Sequence, residues 1–408
     1  MRHVWILNHY AEEPRGTGGT RHFSLARHLP ASGWRATIIA ASTSHGSGRQ
    51  RLDEGEASRA ETIDGVDFLW LRARSYSGNG ADRVLNMMDY TRAVLRQDNL
   101  RDLVPPDAVI GSSVHPLAAW AGRRLARHYR VPFLFEVRDL WPQTLIDMGR
   151  LAPRHPAAIA LRMLERSLYA SAARIIVLLP GARDYIEPLG IPADRVVWIP
   201  NGVDLEGHPP PADVPSSGPF TLMYLGAHGK ANALDTLIAA MGIVGADPAG
   251  ERIVLRLIGH GPEKEKLKAS AERLGLKSVR FEPPVAKADI PVRASEADAF
   301  VISVKDIPGL YRFGISMNKI FDYLAAGRPT IIAADASNNP IAEAGAGFTV
   351  PPENPEALAA AILELASLPR ARREEMALAG RAHVEANYAM DRLARRLAQA
   401  LDASVGQP

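Results

Sequence analysis

Short apolar runs alternate with helix-periodic stretches along this chain, and the alternation begins twice. Val4–Leu7, Ala36–Ala40, Val66–Leu71, Ala108–Ile110, Phe133–Glu136, Ile175–Leu179 and Val196–Ile199 have the length and composition of buried strands. Thr20–Leu29, Leu117–His128 and Ala157–Ser171 lie between them with helical spacing. The pattern restarts at Thr221–Tyr224 and continues through Val254–Ile258, Val279–Phe281, Ala299–Ile302, Thr330–Ala333 and Gly347–Val350. Helices are expected there at Leu234–Met241, Glu263–Leu274, Ile320–Ala326 and Pro355–Ala366. Strands apolar on both faces need helices on both sides, so the pattern predicts an α/β chain with two doubly wound, Rossmann-like parallel sheets. "NGVDLEGHPPPADVPSSGP" (201–219) is dense in Pro, Gly and Ser and reads as a linker. The expected division is a first domain over 1–200 and a second over 201–385. A last helix in 386–408, amphipathic through Leu393, Leu397 and Leu401, would pack back on the first domain. Ligands of such sheets bind at the carboxyl ends of the strands, so two facing domains would share one interdomain cleft.

Composition narrows the class. With 47% hydrophobic and 23% charged residues, the 408-residue chain resembles ordinary globular proteins. No apolar run is long enough for a membrane helix, and the start, MRHVWILNHY, does not read as a signal peptide. The lack of cysteine excludes disulfides, thiolate metal sites and cysteine nucleophiles. A cytoplasmic protein is the expectation. Residues 1–200 hold 26 Arg, no Lys and 20 acids, a net of +6, whereas 201–408 carry a net of −3. The basic half is weak support for an anionic partner, since arginine-rich composition alone would produce it.

Three strand-to-helix loops have phosphate-binding character. Gly16, Gly18 and Gly19 follow the first strand, but Arg21 stands where a dinucleotide fingerprint needs its third glycine. No acid closes the second strand, so nicotinamide chemistry is disfavoured. Gly18 and Gly19, with Thr20 and Arg21, would still suit one diphosphate; a tight-packing turn is the alternative. In the second half, Gly226 and Gly229 flank a turn that leads to Lys230. Later, Gly314, Ser316 and Asn318 lead into a helix with Lys319 in its first turn. A helix start offers unpaired N–H groups and partial positive charge, so a lysine there helps only if an anion arrives. Only eight lysines occur in the chain, and two enter such loops in one domain.

"WIPNGVD" (198–204), "YLGAHGK" (224–230), "LIGHGPEKEKL" (257–267) and "MNKIFDYLAAGRP" (317–329) together resemble retaining GT-B glycosyltransferases of family 4. "GGTRH" (18–22) and "FEVRDLWP" (135–142), with the loop from Gly314 into the Asn318 helix, resemble the bacterial branch that adds amino sugars such as N-acetyl-L-fucosamine to O-antigen or capsule precursors. The resemblance covers nearly the whole chain. It implies a UDP-sugar donor on the second domain, with Lys230, Asn318 and Lys319 at the diphosphate and the base against backbone near Pro284 and Val285. Asp322 matches the family's ribose-binding glutamate. The partner glutamate eight residues earlier is replaced by Gly314, or by Tyr311 in a shifted alignment, which fits a deoxy or N-acetylated sugar.

No metal and no separate cofactor are implied, because the paired-aspartate signature is missing. Glu296-Ala297-Asp298 precedes its strand instead of following it. The resemblance places His115 near the donor phosphate and reacting sugar, although a loop histidine is the reading without it. Asp139 would orient the acceptor hydroxyl and Arg138 would bind an acceptor phosphate, unless the two pair with each other. The implied acceptor is a saccharide on polyprenyl diphosphate. Leu85–Leu100, with Arg92 and Arg96, and Trp120–Tyr129, with Arg123, Arg124 and Arg127, would then lie on an anionic inner membrane. No nucleic-acid partner is expected. Other classes compatible with the architecture are a nucleotide-sugar 2-epimerase and a non-enzymatic sugar-nucleotide binder.

Overall fold

Both alternating patterns become parallel sheets in the computed structural model, which describes residues 1–16, 18–44, 48–76, 80–208 and 218–406. The chain divides into two compact units, Met1–Pro200 with Met390–Pro408, and Asn201–Ala389. Residues 209–217, the Pro- and Ser-rich part of the expected linker, lie outside the described residues.

The first unit holds β1 (Arg2–Leu7), β2 (Trp34–Ala41), β3 (Ser58–Ile63), β4 (Val66–Leu71), β5 (Ala108–Ser112), β6 (Phe133–Val137), β7 (Arg174–Val177) and β8 (Val196–Trp198). Their order is β3-β4-β2-β1-β5-β6-β7-β8. β1 is central and parallel to both neighbours, with Val4 opposite Ala36 on one side and Ala108 on the other. Alternation along β1 divides its side chains between two cores. Val4 and Ile6 pack with Phe23 and Leu25 of helix Arg21–His28 and with Leu393, Leu397 and Leu401 of helix Met390–Val405. On the strand's other face Trp5 meets Tyr129 edge-on, 4.9 Å between centroids, at the end of helix Pro116–Tyr129.

β3 departs from the expected pattern. It pairs antiparallel with β4 and carries no apolar run, because its residues lie at an exposed sheet edge. The connection is Asp64-Gly65, with φ of 46° and 81°, the left-handed pair that a two-residue type I′ hairpin requires.

The second unit holds β9 (Phe220–Leu225), β10 (Ile253–Ile258), β11 (Val279–Glu282), β12 (Ala299–Ser303), β13 (Thr330–Ala333) and β14 (Gly347–Val350). All are parallel, in the order β11-β10-β9-β12-β13-β14. The direction of winding reverses between β1 and β5 in one unit and between β9 and β12 in the other. At such a reversal the outgoing loops diverge and leave a crevice at the carboxyl edge.

Two boundaries differ from expectation. Asn201, Gly202 and Val203 are buried parts of the second unit, Val203 N–H donating to the Tyr388 carbonyl. The expected end at 385 falls inside an 18-residue helix, Arg370–Asn387, and the second unit runs to Ala389. That helix buries only Met376, Ala377, Gly380 and Val384, too small a stripe to stand out in the sequence.

Leu397 is 2% exposed against the β1 core. Leu397→Ala should lower the unfolding free energy by about 2–5 kcal/mol in urea titration. Gln399→Ala, at an exposed position of the same helix, should change it by less than about 0.5 kcal/mol.

Candidate functional site

At the carboxyl edge of the first sheet, a buried polar network lies where β1, β5 and β6 end. Glu136, on β6, accepts from Arg21 Nε at 2.9 Å, His22 Nε2 at 2.7 Å and Ser112 Oγ at 2.7 Å. His22 Nδ1 accepts from Asn8 Nδ2 at 2.7 Å, which leaves the ring proton on Nε2 for Glu136. Arg21 also donates to the carbonyls of Pro200 and, at 2.8 Å, Ile199. Burial alone would raise the Glu136 pKa, but His22 and Arg21 outweigh it and hold the carboxylate well below its usual range. Arg21 is therefore committed to the core and does not line a phosphate site.

The glycine turn before it also has a packing explanation. A Cβ on Gly18 would lie 2.6 Å from Glu12 Cγ, and one on Gly16 would lie 2.8 Å from Glu12 Oε2. Glu12 is 3% exposed and accepts from Arg51 at 2.5 Å and Ser44 Oγ at 2.8 Å. Gly16 and Gly18, with half-buried Gly19 beside them, thus close around the Glu12 side chain, which gives the turn a packing role.

His115 caps helix Pro116–Tyr129. Its Nδ1 accepts from Ala118 N–H at 3.3 Å, so its proton is on Nε2, which donates to His9 Nδ1 at 2.7 Å. His9 stacks on Tyr90, 4.6 Å between centroids. Burial, aided by Arg83, pushes the His115 pKa down to about 3, so the imidazole is neutral near pH 7. A proton donor in imidazolium form is not available at this position. Arg138 is half-buried and Asp139 exposed past the end of β6, and among the described residues no ion pair joins them.

In the second unit the crevice residues converge. Lys319, in the first turn of helix Asn318–Ala325, sends Nζ to Tyr224 Oη at 2.7 Å and Asn232 Oδ1 at 2.9 Å. Asn232 belongs to the turn Lys230–Asn232, so Lys319 holds the turn that the exposed Lys230 opens. Gly226 makes room: a Cβ there would be 3.2 Å from Lys319 Nζ. Burial brings the Lys319 pKa down to about 7. His228, in the same turn, is fully buried, and neither ring nitrogen has a hydrogen-bond partner among the described residues. Its pKa is pushed down to about 4 by burial first and by Lys264 next.

Other expected contacts fall around this crevice with altered roles. Ser316 Oγ accepts from Asn201 N–H at 3.0 Å, and its carbonyl accepts from Asn201 Nδ2 at 2.5 Å. Gly314 turns the loop at φ 113°. Asn318 is half-buried at the helix start. Beyond β11, Pro284 is exposed and Val285 is half-buried against the core. Asp322 is 4% exposed, and both its oxygens lie 2.6 Å from Lys287 Nζ. The sequence offered one signal for Lys287, a scarce lysine two residues past the expected base contact. Glu296 pairs with Arg256 at 2.7 Å, and Asp298 accepts from Thr221 N–H at 2.7 Å, so that acidic pair is structural.

The membrane-facing stretches are only partly available. Tyr90 and Val94 are fully buried, and Arg123 donates to the carbonyl and hydroxyl of Ser167. Arg92, Arg96, Arg124 and Arg127 are exposed. Among the described residues no helix is long and apolar enough to cross a membrane.

Two units of this topology, with a cation-bearing crevice in the second, define a GT-B fold. Residues 16–202 match the family described as glycosyl transferase 4-like domain, and residues 219–367 match glycosyl transferases group 1. Each half of the chain thus matches one glycosyltransferase domain family. The chain is 23% identical over 243 residues to the probable glycosyltransferase WbjE of Pseudomonas aeruginosa, a match covering 57% of this chain and 59% of that one. It is 22% identical over 281 residues to WcaI of Escherichia coli K12, a putative colanic acid biosynthesis glycosyl transferase, covering 65% and 67%. Sucrose-phosphate synthase of Thermosynechococcus elongatus has the same fold, with TM-score 0.73, 19% identity and 98% of both chains covered. So does HepE of Anabaena, solved with UDP and glucose, with TM-score 0.66, 14% identity and coverage of 98% and 99%. WaaG, a glycosyltransferase involved in lipopolysaccharide biosynthesis, gives TM-score 0.67, 16% identity and coverage of 99% and 100%.

His115 carries a checkable pH signature. Its folded pKa lies below the unfolded value of about 6.5, so the unfolded chain binds the extra proton between the two. Stability should therefore be lost as pH falls from about 6.5 toward 3. In His115→Asn the amide can still cap the helix, and the pH slope of unfolding free energy in that window should be shallower than in the wild type.

Proposed function

We propose that this glycosyltransferase is a retaining, metal-independent enzyme that moves a sugar from a UDP-sugar to a lipid-linked saccharide during assembly of a bacterial surface polysaccharide. The observation that carries the donor assignment is Lys319. Its ammonium is held by neutral partners, Tyr224 and Asn232, at a helix start in the β9/β12 crevice. A desolvated cation with no carboxylate beside it gains most when an anion arrives. A diphosphate would meet Lys319, Lys230 and the N–H groups of the Asn318 turn together. The base would rest by Pro284 and Val285, and the ribose by Asp322. HepE, solved with UDP and glucose, supports this choice of nucleotide.

In the reaction, the bond from the sugar's anomeric carbon to the β-phosphate oxygen breaks. A bond to the acceptor oxygen forms on the same face. The acceptor proton passes to the departing phosphate, whose charge Lys319 and Lys230 stabilise. Neutral His115 would serve by shaping the loop beside the sugar. Asp139 would orient the acceptor hydroxyl, and Arg138 would hold an acceptor phosphate. Gly314, in place of an acid, leaves room for an N-acetylated or deoxy amino sugar. The acceptor's polyprenyl diphosphate would bring exposed Arg92, Arg96, Arg124 and Arg127 to an anionic membrane.

Lys319→Ala and Lys230→Ala should each weaken UDP binding by about 1.5–3 kcal/mol in calorimetry. Wild-type affinity in both would refute the assignment. In the wild type, UDP affinity should fall as pH rises above about 7, since Lys319 loses its proton there. Transfer should persist in excess EDTA, and the protein should sediment with anionic vesicles; loss of transfer in EDTA with recovery in Mg²⁺ would refute metal independence.

A further inference from the structure

Lys287 is the residue nearest the charge of Asp322, and it has no role in the scheme above. Asp322 lies on helix Asn318–Ala325 with its side chain 5% exposed, whereas Lys287 is 24% exposed. Nζ sits 2.6 Å from Oδ1 and 2.6 Å from Oδ2, so the ammonium bridges both oxygens. Lys287 opens the turn Lys287–Asp289, two residues beyond Val285, on the segment assigned to the base. The pair thus joins helix Asn318–Ala325 to the turn Lys287–Asp289. Among the described residues His208, Arg381 and the buried Tyr323 are further charged or titratable groups close by; Arg381 donates to the Ala325 carbonyl at 2.6 Å and to the His208 carbonyl at 3.2 Å.

We propose that Lys287 and Asp322 recognise the ribose as one unit, and that Lys287 sets the site's selectivity for an intact ribose diol. The proposal rests on the UDP reading. A vicinal diol presents two O–H donors and two oxygen acceptors. The carboxylate answers the donors, and the ammonium, with three N–H groups, answers the acceptors. Because Nζ bridges both carboxylate oxygens, it also fixes the orientation in which Asp322 is presented. A ligand lacking one hydroxyl gives up contacts to both partners, so removal of Lys287 should penalise the diol selectively.

The test is calorimetry with UDP, 2′-deoxy-UDP, 3′-deoxy-UDP and pyrophosphate on the wild type, Lys287→Met and Lys287→Arg. The wild type should favour UDP over the deoxy analogues by about tenfold or more. In Lys287→Met, UDP should weaken by about tenfold with the analogues nearly unchanged, so the preference collapses; Lys287→Arg should restore most of it. Pyrophosphate affinity should be the same in all three proteins. An equal loss for UDP and its deoxy analogues, or an unchanged preference, would overturn the proposal and reduce Lys287 to a structural counter-ion. If Lys287→Met fails to fold by thermal unfolding, Lys287→Gln takes its place with the same expected collapse. A folded wild type that binds pyrophosphate but shows no gain from UDP would instead refute the UDP reading.

Discussion

The buried ion pair between Arg21 and Glu136 ties the first helix, β6 and the Ile199–Pro200 segment of the first unit together. Isolated, either charge would be too costly to bury; together with their hydrogen bonds they are tolerated. Glu136 receives three side-chain donors, and Arg21 spreads its own donors over Glu136 and the carbonyls of Ile199 and Pro200. One side chain therefore fixes the first helix, β6 and the chain's exit from the unit. Removing one partner of such a pair costs on the order of 3–5 kcal/mol, because the other charge stays behind. The same pair explains why an arginine stands where a dinucleotide-binding loop would need glycine.

Charge and chemistry are distributed in opposite senses. The first half is the basic one, yet many of its arginines have structural partners. Arg51 answers Glu12 and Glu13, Arg59 answers Asp53 and Glu56, and Arg195 holds carbonyls at the end of helix Pro156–Ser171. The half with net −3 supplies Lys319 and Lys230 at the crevice. Net charge by half is thus a poor guide here. A single desolvated lysine among neutral partners says more about an anionic ligand than a surplus of exposed or paired arginines.

Local pattern carried most of the fold and little of the side-chain pairing. Among the described residues thirteen strands fall on apolar runs, and the central ones are buried on both faces as parallel strands must be. β3 has no such run, and its one local signal was the Asp64-Gly65 turn. The helix starts at Lys319 and the glycine loops were legible because turn chemistry acts over a few residues. What those groups touch was not. Lys287 and Asp322 are 35 residues apart, and His9 and His115 are 106 apart, so no spacing rule links them. The glycines at 16 and 18 show the same limit from the other side. Their sequence suits a phosphate, and only the position of Glu12 reveals what they enclose.

Helix Met390–Val405 returns to the sheet on which the chain began, and this makes the second unit an insertion within the first. Two peptide connections, after Pro200 and before Met390, join the units where a tandem arrangement would have one. Recombination by a single crossover near 200 would therefore separate Leu393, Leu397 and Leu401 from the strand residues they cover. The second unit could be exchanged between relatives only by a double crossover that replaces 201–389 and retains both flanks. This chain connectivity favours exchange of the second unit as a cassette, while the terminal helix stays with its original partner.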